Sequence, residues 1–91
     1  MNDLNGASVI NPPNRGPRNY LSVDVTTRFG ERLRKLRVSR CMTQLQMSTF
    51  FGIDRSYISD VERGRKSVSL PMLEVIALGF NMTLSELLRD V

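Results

Sequence analysis

An all-α fold of five short helices is the architecture this 91-residue sequence predicts, and three observations carry it. Apolar residues recur at helical spacing in the segments after residue 27. Residues 43–64 read as two short helices around a tight turn. Two Thr-x-x-Gln/Glu capping boxes, at Thr43 and Thr83, open helices of their own.

Taken in order, residues 1–20 contain five Asn, three Pro and two Gly and little that could build a core. They read as a flexible arm. Arg15 and Arg18 would let such an arm touch a nucleic acid, although an untethered terminus has the same composition. Leu21, Val23 and Val25 alternate with polar residues, which also fits a short extended segment. The division that follows is an arm over 1–25 and one small domain over 26–91. The first helix is expected to start after Thr26 or Thr27, with Phe29, Leu33 and Leu36 at i, i+4 and i+7 as its buried stripe.

Thr43 can cap the second helix while Gln46 reaches back to the cap's own N–H. Met47 and Phe51 then share one face, with Ser48 beside them small enough for another helix to approach. Gly52 stands where the chain turns sharply, Ile53 pins the turn to the core, and Asp54 caps the third helix. At about 100° per residue, Ile58 and Val61 fall on one side of that helix. Ser56, Ser59, Asp60 and Arg63 lie roughly opposite, with Arg55 and Tyr57 flanking its N-terminal end. A face so rich in hydrogen-bonding side chains suits the base edges of a major groove. It would also suit solvent, but the turn glycine, Ser48 and the Ile58/Val61 pair at these spacings favour the first reading.

After Gly64, Arg65 and Lys66 stand beside the end of the third helix, where a duplex backbone would pass. Ser69 caps the fourth helix, Pro71 is tolerated in its first turn, and Leu73, Ile76, Ala77 and Phe80 form its inward side. Asn81 suits the left-handed conformation that ends a helix. Thr83 and Glu86 form the second capping box, and Leu84, Leu87, Leu88 and Val91 are expected along one side of the last helix. A body of about 65 residues buries limited apolar area. Phe80, Met82, Leu88 and Val91 are therefore candidates for a dimer interface.

Composition narrows the function. Thirteen Lys and Arg stand against nine Asp and Glu, with no His, no Trp and one Cys. Without histidine there is no Ser-His or Cys-His pair and no standard zinc set, so the expectation is a non-enzyme without metal or cofactor, and no small-molecule ligand is evident. No apolar run approaches the roughly 18 residues of a membrane span. A lone cysteine and the lack of a signal peptide suggest a cytoplasmic protein. Residues 28–40 hold Arg28, Arg32, Arg34, Lys35, Arg37 and Arg40 against Glu31, a local net of +5, whereas residues 67–91 hold one Arg against three acids. One side is basic, as polyanion binding needs, although many basic surfaces are only solvated.

The pattern over residues 43–64 resembles the lambda repressor and Cro-like helix-turn-helix family, also called the Xre family. The resemblance is carried by Gln44, Met47, Ser48, Gly52, Ile53, Ile58, Val61 and Glu62-Arg63-Gly64, and it extends over residues 27–88. Within it, Arg55-Ser56-Tyr57-Ile58-Ser59 most resembles controller proteins of restriction-modification systems. The resemblance implies a five-helix lambda-repressor-like domain that regulates transcription as a homodimer on a palindromic double-stranded DNA operator. It implies that Arg37 pairs with Glu62 and also touches a phosphate. The second helix would lie across the DNA backbone with Gln44 on a phosphate. Arg55, Ser56, Tyr57 and Asp60 would face bases, and Ser59, Arg63, Arg65 and Lys66 would join Arg37 and Gln44 on the backbone.

The chain departs from the family pattern at two positions. Cys41 stands where glycine is usual at the end of the first helix, so either it takes positive φ at some cost or the turn is rearranged. Phe50 stands where a polar residue is common, and Tyr20 and Leu21 of the arm or a partner chain would be suitable cover. Two alternatives share the fold: an antitoxin whose 20-residue arm binds a toxin, and a protein-interaction module that has lost DNA binding.

Overall fold

The computed structural model describes residues 23–91. These form five helices and no strand: α1 (Val25–Ser39), α2 (Gln44–Phe51), α3 (Arg55–Glu62), α4 (Leu70–Gly79) and α5 (Leu84–Leu87). Their inward side chains meet in one core, in which Leu33, Met47, Ile58, Val61, Ile76 and Leu87 are under 2% exposed. Every helix contributes to it. The stripes expected for α1 and α4 are the ones found, with Phe29, Leu33 and Leu36 buried from the first and Leu73, Ile76 and Ala77 from the second, and Phe80 buried just beyond α4.

The helix ends follow local chemistry. Thr43/Gln46 and Thr83/Glu86 form reciprocal capping boxes, and the Ser69 hydroxyl accepts the Met72 N–H at 3.2 Å. Gly52 closes α2 in the left-handed conformation at φ 69°. Cys41 closes α1 in the same way at φ 56°, and Asn81 closes α4 at φ 57°. At both non-glycine ends the next N–H reaches back five residues, from Met42 to the Arg37 carbonyl at 3.2 Å and from Met82 to the Ala77 carbonyl at 2.8 Å. This is the Schellman closure, formed without glycine.

Two expected boundaries move. The first helix begins at Val25, because the Asp24 carboxylate accepts the Thr27 N–H at 2.9 Å and caps it ahead of either threonine. Val25 is therefore helical, and the idea of an extended segment through Val23 and Val25 does not hold for it; Leu21 and the rest of the arm lie outside the described residues. The last helix is one turn long and stops at Leu87, so Leu84, Leu87, Leu88 and Val91 do not share one helical face. Its last carbonyls are bonded by α1, with Arg32 donating to the Leu87 and Glu86 carbonyls at 3.0 and 2.7 Å, and beyond the helix Arg28 Nε donates to the Val91 backbone oxygen at 3.0 Å.

Helix α1 crosses α3 with almost no gap. A Cβ on Gly30 would stand 2.2 Å from the Val61 carbonyl oxygen and 3.0 Å from that of Glu62. Only a residue without a side chain allows this approach, and it fixes how far α3 stands from the body.

Candidate nucleic-acid interface

Helix α3 is amphipathic from its first turn. Ile58 and Val61 are each 1% exposed, while Arg55, Ser56 and Arg63 lie open to solvent and Tyr57, Ser59 and Asp60 are half-buried. Asp54 organises the start. Its Oδ2 accepts the N–H groups of Ser56 at 3.1 Å and Tyr57 at 3.2 Å, and also the hydroxyl of Ser56. These hydrogen bonds, that of the Ser56 hydroxyl first, hold the Asp54 carboxyl below its ordinary value.

The end of α3 sets the next group of cations. Gly64 N–H bonds the Val61 carbonyl at 3.0 Å and Arg65 N–H bonds the Asp60 carbonyl at 2.8 Å. The chain is thereby turned so that Arg65 and Lys66 emerge beside the helix. Lys66 Nζ lies 5.9 Å from the centre of the Tyr57 ring, within cation–π reach. Tyr57 itself packs against the core. Of the four residues expected to face bases, Arg55 and Ser56 thus stand most openly, Asp60 lies along the flank, and Tyr57 is part support and part surface.

The second group assigned to the DNA backbone includes a clamp. Arg37 Nε and Nη2 donate to the two Glu62 oxygens at 2.7 and 2.9 Å, and Arg37 Nη1 donates to the Met42 carbonyl at 2.8 Å. Gln44 Nε2 donates to Glu62 Oε1 at 3.1 Å. The expected Arg37–Glu62 pair is present, and Gln44 makes it a junction of α1, α2 and α3, a link that residue spacing did not reveal. The Glu62 side chain is 3% and the Arg37 side chain 11% exposed. Donating to the Glu62 carboxylate raises the Arg37 pKa further, against the effect of burial. Its guanidinium faces inward at three nitrogens, so what remains for a phosphate is small.

The apolar candidates for a dimer interface separate. Phe80 is corrected: at 3% exposed it is a core residue, packed edge-to-face on Phe51 with ring centres 4.8 Å apart and covered by the Arg40 guanidinium at 4.9 Å. Met82 and Val91 are partly buried against the core. Leu88 is exposed, and it lines an apolar groove with Val25, Phe29, Val68, Leu73 and Val91. Leu84, expected on the apolar stripe of the last helix, is also open, as are Val75 and Leu78, to which the sequence reading assigned no role, Leu78 at 73%. The signal was there, since positions 75 and 78 are three apart on the side of α4 away from Leu73 and Ile76. Phe50 is 69% exposed; the arm residues expected to cover it lie outside the described residues, as does the segment that the antitoxin alternative assigns to a toxin.

Comparison with known proteins agrees with this geometry. A protein-family profile described as helix-turn-helix matches residues 33–87. The control protein C.MunI of Mycoplasma sp is 41% identical over 69 residues, which are 75% of this chain and 93% of that protein. The crystal structure of the restriction-modification controller protein C.AhdI from Aeromonas hydrophila superposes with a TM-score of 0.64 at 37% identity, over 68% of this chain and 94% of that one. The controller protein C.Esp1396I, solved as a tetramer in complex with its natural 35 base-pair operator, superposes with a TM-score of 0.63 at 26% identity, over 71% and 90% of the two chains.

Proposed function

Since this chain belongs to the lambda repressor and Cro-like helix-turn-helix family, we propose that it is a sequence-specific double-stranded DNA-binding regulator of transcription, acting in the cytoplasm as a homodimer on a palindromic operator and serving as a restriction-modification controller. It is a binding protein and not an enzyme. The observation that carries the reading is the N-terminal turn of α3, where Arg55 and Ser56 project from a helix held by the Glu62 junction, with Arg65 and Lys66 beside it. A rigid helix with open donors and acceptors at its leading end, flanked by cations, is what entry into a major groove requires. The relatives C.MunI and C.AhdI are controllers by name, and C.Esp1396I occupies an operator.

In this reading Arg55, Ser56, Tyr57 and Asp60 face base edges, with Arg55 paired to guanine. Ser59, Arg63, Arg65 and Lys66 lie on the backbone, joined by Gln44, whose amide the Glu62 carboxylate already orients, and by the outer edge of Arg37. The two-fold interface is formed by Val75, Leu78, Leu84 and Leu88, with Met82 and Val91 at its margin. No cofactor, metal or small-molecule ligand takes part.

Selection of bound duplexes from a random pool is the direct test. The expected product is an inverted repeat whose half-sites lie about one helical turn apart or a multiple of it. Recovery of no common sequence would refute the proposal.

A further inference from the structure

The bonding of Asp54 fixes the direction in which Ser56 can form a hydrogen bond. A serine hydroxyl has one proton and two lone pairs, so a free serine can donate or accept. Here the Ser56 hydroxyl meets Asp54 Oδ2, the same oxygen that accepts the N–H groups of Ser56 and Tyr57. An ionised carboxylate has no proton to give, so the hydroxyl is the donor in this contact. Its single proton points back at the cap, and the exposed side of Ser56 Oγ presents lone pairs alone. The neighbouring Arg55, also exposed, is of opposite character, because a guanidinium only donates.

We propose that Ser56 is a specificity-determining residue of fixed polarity: with its proton held by Asp54, its hydroxyl accepts from an exocyclic amino group, adenine N6 or cytosine N4, and does not donate to a purine N7, guanine O6 or thymine O4. The proposal rests on the reading that α3 enters a major groove, where an unconstrained serine pairs with either kind of group. The leading turn then reads two adjacent functions of opposite sign, acceptors through Arg55 and a donor through Ser56. Asp54 acts through Ser56 as a positioning residue.

The experiment uses the full chain and the operator it selects. The base pair at which Ser56→Ala loses discrimination is first located by single base-pair changes. At that pair, purine replaces adenine or pyrimidin-2-one replaces cytosine, which deletes the amino group, and 7-deazapurines delete the N7 acceptor in a separate duplex. Deleting the amino group is expected to weaken the wild-type chain and Ser56→Thr by roughly 2- to 12-fold, the range of one net hydrogen bond, and to leave Ser56→Ala unchanged. The 7-deaza change should affect all three alike. Asp54→Gly, which keeps much of the capping preference and releases the hydroxyl, should lower the amino-group penalty. The proposal is overturned if amino deletion weakens wild type and Ser56→Ala equally, if the N7 acceptor is the group coupled to Ser56, or if Asp54→Gly keeps the full penalty. A wild-type chain that selects no sequence at all would instead remove the groove-reading premise.

Discussion

Arg55 and Lys66 lie a short way apart in the chain yet project into different surroundings, and their truncations should differ in kind. Arg55 is exposed in the first turn of α3, so Arg55→Ala should cost about 1–3 kcal/mol on the operator and much less on random duplex. Lys66 stands in the loop over the Tyr57 ring. Lys66→Ala should weaken operator and random DNA by similar factors and reduce the salt slope by about 1. Competition titrations at several salt concentrations check both; equal losses for Arg55→Ala on the two duplexes would remove its base-reading role. Cys41 offers a second test, because its φ of 56° costs a side-chain-bearing residue about 1–2 kcal/mol. Glycine relieves that strain but is more flexible when unfolded. Cys41→Gly should raise stability by about 0.5–1 kcal/mol, seen as a higher urea midpoint at constant slope. A third concerns protons. Helix caps hold Asp24, Asp54 and Glu86 below their ordinary values, through hydrogen bonds from Thr27, Ser56 and Thr83 first in each case. Their folded-state pKa values are depressed, so this stabilisation is complete above their ordinary values of 3.8 and 4.5 and is lost as pH falls through the lower, folded ones. Thermal midpoints should decline at acid pH, and the decline should be shallower in Asp24→Asn, which keeps a capping side chain that does not titrate.

Between elements, α1 and α3 cross closely at Gly30. On an isolated helix, Gly→Ala is stabilising by about 0.8–1 kcal/mol. At this position the added Cβ would meet the Val61 carbonyl at 2.2 Å, and the obstacle is backbone that no rotamer change can move aside. Gly30→Ala should therefore destabilise by roughly 1–3 kcal/mol and also weaken operator binding, since the helix pushed outward is the one that carries Arg55. Denaturation and binding titrations on the same preparation check the two effects. A more stable variant would show that α1 and α3 stand further apart. The Glu62 junction works in the same direction as this crossing: three donors from α1 and α2 converge on a carboxylate that is 3% exposed, which holds α3 in register with both.

For the molecule as a whole, the question is how one small domain gains enough contact with DNA. The formal charge is only +4, so long-range attraction by a single copy is modest, and a symmetric pair doubles both charge and reading surface. The Phe51–Phe80 contact lies inside one chain, and the proposed interface is drawn instead on the open Val75, Leu78, Leu84 and Leu88. Leu78→Glu should leave the fold of each copy within about 0.5 kcal/mol, since the side chain is 73% exposed. It should also shift the mass in light scattering at tens of micromolar towards the monomer and weaken full operators far more than half-sites. A variant that remains dimeric would place the interface on another face.

Helix ends were legible in order along the chain because each depends on neighbours three to five residues away. The caps at Thr43, Asp54, Ser69 and Thr83 were read from side chains that can accept an N–H, and the left-handed closure at Gly52 from its glycine; at Cys41 and Asn81 the family resemblance marked the helix ends, and at Cys41 only the structure chose positive φ over a rearranged turn. The exposed leading turn at Arg55 and Ser56 followed from the period of α3. The start of α1 was misread because Asp24, Thr26 and Thr27 are all competent caps within four positions, and local rules do not rank them. Other features depend on which elements cross. Gly30 is required by a carbonyl 31 positions away, Gln44 reaches a carboxylate 18 positions away, and Phe80 is enclosed by Phe51 and Arg40. Periodicity tells which face of a helix is apolar, but only packing decides whether that face is covered by its own chain or left open for another. The period of α4 puts Leu78 and Phe80 on opposite faces, but it was Phe51 and Arg40 that closed over Phe80 and so removed it from the surface offered to a second copy.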